Sequence, residues 1–382
     1  MNTSFLNKLR TDRRGYRCTV FLYAYAELNV GDDLFLHKLV SSYPDVRFVM
    51  IARKPYQQMF SGYPNVTVYR KGAFLLRLVN KLGPAGPIPW WVARTCDYAV
   101  YIGGSILQEY PHWVDQHLYY RNLFDNERLY FLGCNWGPCL TKQFEHNMAD
   151  VLSRMKDVCF RDRYSLNTFS HLPNVRYAPD ILLGLDWSRF AQIPEKQQVM
   201  LSVVDCTSES IGLAPYAEQY NRFMARLAEE FAASGCRPIL CAFSEDLGDC
   251  RAAETIRSLM APQFRAQTGL VSYQGTNLEQ ILHLIAESQY IVATRFHAMI
   301  LGLVAGKKVL PVIYSNKTRN VLEDLSFQGA CLDIQALPEA PAGLRDKITR
   351  GITDRDRQKL AAQSAGHFAR LNLVLRPDTT GA

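Results

Sequence analysis

Residues 290–314, "YIVATRFHAMILGLVAGKKVLPVIY", indicate how this chain folds. A β-branched run, "SQYIVAT" (288–294), precedes an apolar segment of helical length, "RFHAMILGLVAG", and a second β-branched run, "KVLPVIY" (308–314), follows it. A helix that joins two buried strands returns the chain to the same end of the sheet, so the strands run parallel. The stretch therefore predicts a βαβ unit.

The same alternation of strand and helix patterns extends outward in both directions. Further strands are predicted at residues 18–24, 46–52, 98–104, 128–137, 156–162, 199–205 and 237–243, and helices at 31–43, 216–234 and 249–261. Pro and polar residues interrupt the pattern at 185–198, which predicts a linker. The chain is thus predicted to be α/β, with two doubly wound, Rossmann-like domains in tandem and a ligand cleft between them.

The predicted domains are residues 1–187, on the acceptor side, and residues 198–352, on the donor side. A last helical stretch over 353–375 is predicted to cross back to the N-terminal domain, so that residues 353–382 form a C-terminal extension.

The composition and net charge of the chain indicate which class of protein it is. The 382 residues are 48% hydrophobic and 21% charged, which is typical of a soluble globular protein. The net charge of +7 suits an anionic ligand or an anionic membrane surface and is weak support for nucleic acid. The start has no apolar signal segment, and no stretch of roughly 20 residues is free of charge, so we expect a cytoplasmic protein.

The ten cysteines are scattered, and none forms C-x-x-C. Reduced thiols and no zinc site are therefore expected. No Gly-rich loop matches a dinucleotide fingerprint, and "GLVAGKK" (302–308) has the wrong spacing for a P-loop and Lys308 where Ser or Thr would bind magnesium. We expect neither a metal nor a redox cofactor.

Arg295 and His297 are the polar residues that stand out within the 290–314 run. A buried charge is costly unless it is paired or functional. If residues 294–297 are extended, both side chains point the same way, and the helix that follows offers free amides to an anion. A histidine that gains a proton with an anionic substrate suits general acid catalysis, and the alternative is a core histidine satisfied by backbone groups.

Two other basic residues follow predicted strands. Arg161, in "CFRDRYS" (159–165), is positioned to clamp a carboxylate or phosphate, or alternatively to pair with a structural carboxylate. Asp162 is an acid next to Arg161, and Ser165 is a possible cap of the helix that follows. Lys317, in "YSNKTRN", is predicted to reach the ligand, or else is an ordinary solvated lysine.

Three turns after predicted strands complete the candidate site. The first is "NVGDD", in which Asp32 or Asp33 either contacts the ligand or caps the helix. "IGGS" and "GCNWGP" either let backbone amides approach a ligand or are simply tight turns. The candidate ligand-binding residues in the three turns are Asn29, Gly31, Gly103, Gly104, Asn135 and Gly137.

The segment 72–94, "GAFLLRLVNKLGPAGPIPWWVAR", combines basic residues with Trp90 and Trp91. This composition suits a membrane-surface contact, and a core helix followed by a Pro-rich loop is the alternative.

In order along the chain, "NVGDD", "IGGS", "GCNWGP", "RDRYS", "APD" (178–180), "TRFHA" and "YSNK" resemble the polysaccharide pyruvyl transferase family over residues 20 to 325. The chain departs from the family pattern at Ser105 and Asn135, where a third glycine is usual. The resemblance implies a fold of the glycosyltransferase-B type. It also implies transfer of pyruvate from phosphoenolpyruvate, the co-substrate, onto two sugar hydroxyls as a cyclic ketal.

By the same resemblance, Arg161 and Arg295 would bind phosphoenolpyruvate and His297 would be the catalytic histidine. Forming a ketal carbon requires protonation of the vinyl carbon and a base for the attacking hydroxyl, for which Asp32 and Asp33 are candidates. The acceptor is a sugar, with a lipid-linked oligosaccharide as one candidate. The alternatives are a nucleotide-sugar glycosyltransferase of the same architecture and a non-catalytic partner in polysaccharide assembly.

Overall fold

The computed structural model describes residues 15–70, 95–110, 113–114, 128–208, 212–337, 341 and 343–376. Contacts between Cα atoms divide the chain into two compact units. Unit 1 comprises Met1–Ala26, Leu34–Ile181 and Ala365–Ala382, and unit 2 comprises Glu27–Asp33 and Leu182–Ser364. The predicted assignment of residues 1–187 to the acceptor and 198–352 to the donor stays a prediction.

Unit 1 is built on a parallel sheet that has seven strands in the described residues, in the order β3-β2-β1-β4-β5-β6-β7. These strands are β1 (Thr19–Ala24), β2 (Arg47–Ala52), β3 (Val66–Arg70), β4 (Tyr98–Ile102), β5 (Leu129–Cys134), β6 (Asp157–Phe160) and β7 (Val175–Tyr177).

Unit 2 repeats this arrangement with a parallel sheet of six strands in the described part of the chain, ordered β10-β9-β8-β11-β12-β13. These strands are β8 (Lys196–Val203), β9 (Arg237–Ala242), β10 (Gly269–Ser272), β11 (Ser288–Ala293), β12 (Lys308–Ile313) and β13 (Leu332–Asp333). In both sheets strands are added first on one side of the first strand and then on its other side, so a switch point lies between β1 and β4 and between β8 and β11. Open α/β sheets bind ligands at the carboxyl ends of strands near such a point.

The helices connect the strands. Within the described residues they are α1 (Val30–Ser42), α2 (Lys54–Met59), α3 (Lys142–Ser153), α4 (Arg163–Thr168), α5 (Ala217–Ala233), α6 (Asp249–Leu259), α7 (Pro262–Gln267), α8 (Leu278–Glu287), α9 (Phe296–Val304), α10 (Asn316–Asp324), α11 (Asp354–Ser364) and α12 (Ala369–Leu375). In these ranges, no helix has the length and apolar character needed to span a bilayer.

The core of each unit follows from the patterns that predicted the elements. All six residues of β5 are buried, as expected for a central parallel strand. Every residue of α9 is buried, because this helix is apolar on all sides. On α5, by contrast, the buried residues recur at helical spacing, as with Phe223, Leu227 and Phe231, and the opposite face is polar.

The predicted strands and helices are present, with ends that differ by a few residues. The short strands β3, β7, β10 and β13 were not predicted, because their residues are mostly only half buried and show little apolar pattern. The prediction of one continuous helix over 353–375 is wrong. A 3-10 turn, Ala365–Phe368, separates α11 from α12, and Gly366 lies within it.

Two predictions concern other features of the chain. All ten cysteines lie in the described residues and are free thiols. The segment 72–94, with Trp90 and Trp91, lies outside the described residues.

Candidate functional site

In unit 1, polar residues from three neighbouring strand ends meet around Arg161. Gly104 follows β4, Asn135 follows β5, and Arg161 follows β6. Arg161 Nη1 donates to Asp180 Oδ2 at 3.0 Å, and Nη2 donates to Asn135 Oδ1 at 2.7 Å. The side chains of Arg161 and Asp180 are 1% and 0% exposed. The carboxylate and the amide therefore hold the guanidinium in one orientation.

Gly104 is required by this packing. A β-carbon at residue 104 would lie 2.8 Å from Arg161 Nη2, closer than non-bonded atoms approach. The predicted role of the other turn glycines, presenting amides to a ligand, has less support. The Gly103 amide donates to Leu132 O at 3.3 Å, and the Gly137 amide donates to Leu107 O at 2.9 Å.

The loop after β5 is fixed by the start of α4. Asp162, not Ser165, is the N-cap, because Asp162 Oδ1 accepts from the Ser165 amide at 2.8 Å. The Ser165 hydroxyl donates to Asp162 Oδ2 and accepts from the Trp136 amide at 2.7 Å. Burial raises the pKa of Asp162, and the bonds from Ser165 oppose that shift. These bonds set the position of Asn135, which precedes Trp136.

In unit 2, Arg295 lies at the carboxyl end of the sheet. Strand β11 ends at Ala293 and α9 begins at Phe296, so Arg295 is the N-cap and its amide donates to Ser202 Oγ at 3.0 Å. The condition that residues 294–297 are all extended is not met, because α9 begins at Phe296 and His297 lies in its first turn.

Arg295 forms a buried ion pair with Asp249. Arg295 Nε donates to Asp249 Oδ2 at 2.8 Å and Nη2 donates to Oδ1. Asp249 Oδ2 also accepts from the amides of Phe243 and Ser244. Burial alone would lower the pKa of Arg295, but the charge and hydrogen bonds of Asp249 outweigh burial and raise it. Arg295 thus stays charged although it is only 7% exposed.

His297 packs against Gly31. The first residues of α1 belong to unit 2, where the Val30 amide donates to Phe243 O at 3.3 Å and Asn29 bridges to Ser244. A β-carbon at residue 31 would lie 1.6 Å from His297 Nδ1, so the imidazole occupies the space that a side chain would fill. His297 is 8% exposed.

Asp32 and Asp33 lie inside the first turn of α1, after its N-cap position. Asn29 Oδ1 accepts from the Gly31 amide at 3.0 Å, so Asn29 is the capping residue. Asp33 is fully buried, and its Oδ2 accepts from the Tyr273 hydroxyl at 2.8 Å. Burial and then the charge of Asp33 raise the pKa of the Tyr273 phenol, which stays protonated as the donor. Asp32 is 9% exposed.

Lys317 lies in the first turn of α10, after β12. Its Nζ is 5.9 Å from the centroid of the Tyr314 ring, and the residue is half buried. It thus belongs to the same carboxyl edge of the unit 2 sheet as Arg295, as the strand order predicts.

Sequence reasoning missed the acidic partners of both arginines. Asp180 was noted within "APD" without a role, and Asp249 was not singled out. The available signal was physical, because a buried arginine needs a buried carboxylate. Among the described residues, no group of three or more His, Cys, Asp or Glu side chains is arranged to hold a metal ion.

Comparison with known proteins gives a family match and fold neighbours. The profile of the family described as polysaccharide pyruvyl transferase matches residues 29–316, which is most of the chain. No curated protein sequence matches the chain.

The fold neighbours include two crystal structures of Anabaena Alr3699/HepE. The complex with UDP-glucose has a TM-score of 0.53 at 12% identity, covering 96% of this chain and 100% of that one. The complex with UDP and glucose has a TM-score of 0.51 at 13% identity, covering 94% and 97%. The predicted fold class, two Rossmann-like α/β domains of the glycosyltransferase-B type, is confirmed.

Proposed function

This chain belongs to the polysaccharide pyruvyl transferase family, and we propose that it moves pyruvate from phosphoenolpyruvate onto two hydroxyls of a sugar. The product is a cyclic ketal, and phosphate is released. The family makes the chain a transferase of polysaccharide biosynthesis. The observation that supports the donor most directly is that a charged Arg295 and His297 both lie at the start of α9, inside the matched range.

Phosphoenolpyruvate carries a carboxylate and a phosphate, so it requires cationic groups held in fixed orientations. Asp249 binds Arg295 through Nε and Nη2, and within the described part of the chain Nη1 donates to no protein group. Nη1 and the positive end of the α9 dipole are suited to an anion. Arg161, oriented by Asp180 and Asn135, is the proposed second cationic group.

The proposed reaction needs two additions to one carbon. A proton reaches the vinyl CH₂ carbon, which becomes a methyl group, and the carbon that bears the phosphate becomes electron-poor. One sugar hydroxyl attacks this carbon and loses its proton. The carbon–oxygen bond to phosphate then breaks with its electron pair on phosphate, and the second hydroxyl closes the ring and loses its proton. His297 is the proposed acid, toward either the vinyl carbon or the leaving phosphate.

Asp32 is the better candidate for the base that takes the hydroxyl proton. The carboxylate of Asp33 is fully buried and already accepts the Tyr273 hydroxyl, which suits it to hold the start of α1 in place. Asp32 retains some exposure. Asp32→Asn is therefore expected to lower turnover, and Tyr273→Phe to lower the free energy of unfolding by about 1 kcal/mol.

A second candidate function is nucleotide-sugar-dependent glycosyl transfer, because the fold neighbour HepE was crystallised with UDP-glucose. Calorimetric titration with phosphoenolpyruvate and with UDP-glucose separates the two. Binding of phosphoenolpyruvate, with phosphate release that requires a sugar acceptor, is the result expected here. Binding of UDP-glucose alone would favour the second candidate, and turnover with neither donor would favour a non-catalytic partner in polysaccharide assembly.

The acceptor itself is best identified in cells. Chemical analysis of the surface polysaccharide from a strain that lacks this protein is expected to show the loss of a pyruvate ketal. An accumulated lipid-linked precursor without the ketal would place the reaction before polymerisation.

A further inference from the structure

The C-terminal segment of unit 1 carries a histidine that no step above uses. His367 lies in the 3-10 turn Ala365–Phe368 that precedes α12, and it is 0% exposed. A fully buried imidazole is costly to accommodate without hydrogen bonds, so its partners indicate what it does.

The imidazole binds the backbone carbonyl of Pro179. His367 Nε2 lies 3.0 Å from Pro179 O, and because a carbonyl oxygen only accepts, Nε2 carries the hydrogen. Burial, and then the charge of Arg176, lower the pKa of His367 to about 3. The ring is therefore neutral at ordinary pH, with one fixed tautomer.

Pro179 connects this hydrogen bond to the candidate site. Its carbonyl carbon is bonded to the backbone nitrogen of Asp180, so the bond from His367 restrains the peptide that carries the Asp180 side chain. Asp180 Oδ2 in turn accepts from Arg161 Nη1 at 3.0 Å. All four residues belong to unit 1, and His367, Asp180 and Arg161 are each at most 2% exposed.

The backbone of the turn is held independently by Arg176 on β7. Arg176 donates to both carboxylate oxygens of Asp157 at 2.7 Å, and also to Gly366 O and His367 O. A β-carbon at Gly366 would come within 3.3 Å of Ala178 Cβ, so the turn packs directly on the segment that leads to Asp180. Loss of the imidazole therefore need not release the turn.

We infer that His367 is a positioning residue for the anion-binding Arg161, acting through the Pro179–Asp180 peptide. The inference rests on the proposed function, because its binding test uses phosphoenolpyruvate as the ligand. It assigns to the C-terminal segment a role in the geometry of the candidate site, beyond covering the core of unit 1.

Three variants separate this role from plain anchoring of the C-terminal segment. His367→Leu removes the donor to Pro179. His367→Gln keeps an N–H donor on a side chain of similar reach. Tyr43→Phe is the matched control, because the Tyr43 hydroxyl donates to Asn372 Oδ1 at 2.7 Å and so anchors α12 without touching Pro179.

Calorimetry measures the affinity for phosphoenolpyruvate, and steady-state kinetics on the same preparations give kcat and KM. His367→Leu is expected to weaken affinity about three- to tenfold, the worth of one hydrogen bond, with a larger effect on KM than on kcat. His367→Gln is expected to recover most of the affinity and Tyr43→Phe to retain it. An equal loss in Tyr43→Phe, or no rescue by His367→Gln, overturns the inference.

A crystal structure of His367→Leu provides a readout that does not depend on the ligand. The Asp180 carboxylate is expected to move away from Arg161, while the Arg295–Asp249 pair of unit 2 keeps its geometry. If wild-type protein does not bind phosphoenolpyruvate, the proposed function fails, and this structure alone decides the inference. An unchanged Arg161–Asp180 pair overturns it. Should His367→Leu not fold, His367→Asn, whose shorter amide falls short of Pro179 O, takes its place.

Discussion

The imidazole of His297 lies directly against the backbone of Gly31. A β-carbon built on Gly31 would be 1.6 Å from Nδ1 and 2.0 Å from Cγ, distances at which atoms overlap. Gly31 lies in the first turn of α1. Glycine is therefore required at residue 31 by the position of a proposed catalytic ring.

Gly31→Ala tests this contact because the higher helix propensity of alanine and the overlap with the imidazole act on stability in opposite directions. In a helix, alanine is favoured over glycine by about 1 kcal/mol, so without the contact the variant would be more stable. Because the ring must move, we expect no rise in melting temperature and a fall in turnover of at least roughly tenfold. Gly62→Ala is the control, since no atom lies within 4 Å of the added β-carbon. A more stable Gly31→Ala with full turnover would contradict the proposed role of His297.

Replacing Arg295 alone, and then Arg295 together with Asp249, separates the contribution of this ion pair to stability from its contribution to phosphoenolpyruvate binding. Arg295→Ala leaves the buried Asp249 without its cation and is expected to lower the free energy of unfolding by about 3–5 kcal/mol. Adding Asp249→Asn is expected to recover part of that stability. Neither variant regains phosphoenolpyruvate affinity, which falls roughly ten- to a hundredfold. Urea unfolding and calorimetry measure the two quantities.

The control for the Arg295 and Asp249 variants is Arg189→Ala. The side chains of the Arg189–Glu279 pair are 61% and 55% exposed, so its loss should change stability by less than about 1 kcal/mol. Recovery of phosphoenolpyruvate affinity in the double variant would show that Arg295 serves the fold alone.

His297→Asn is expected to cut turnover by roughly 10²–10⁴-fold, the usual contribution of general acid–base catalysis, with stability near that of wild type. Donor affinity should fall less than in Arg295→Ala, because asparagine still forms hydrogen bonds. His283→Asn is the control, since the His283 side chain is 50% exposed. Normal turnover together with a lowered melting temperature would make His297 a core histidine.

Stability should depend on pH through His37. Burial lowers the pKa of His37 to about 4, whereas an unfolded chain has a histidine pKa near 6.5. The unfolded state thus takes up the proton first, so stability is complete above pH 6.5 and is lost as pH falls toward 4. At pH 5.5 the loss from this group is about 1.4 kcal/mol. Urea unfolding at pH 8 and pH 5.5 should show a smaller difference for His37→Gln than for wild type, and equal differences would exclude the effect.

The predicted membrane contact of residues 72–94 is tested with anionic vesicles. Basic residues and an aromatic pair should give co-sedimentation that weakens as salt rises, because salt screens the attraction to lipid headgroups. Replacing Trp90 and Trp91 with serine should weaken it further. Wild-type protein that stays in the supernatant at low salt would exclude the contact.

The sequence by itself determined the longer strands and several of the helices of this protein. Alternating strand and helix patterns are local properties of the chain, so the 290–314 run predicted β11, α9 and β12 to within a few residues. The position of polar residues at strand ends is also local. Arg161 and Arg295 could therefore be assigned to the carboxyl edges of two parallel sheets before any contact was known.

Only the tertiary structure decided which groups these residues meet. Asp249 is 46 positions from Arg295, and Tyr273 is 240 positions from Asp33. No local pattern encodes such pairs, because a partner is chosen by the packing of elements that are distant along the chain. The contact of Gly31 with His297 has the same origin. The glycine within "NVGDD" looks like any turn residue until the first turn of α1 is packed against the start of α9, where the imidazole fills the space beside it.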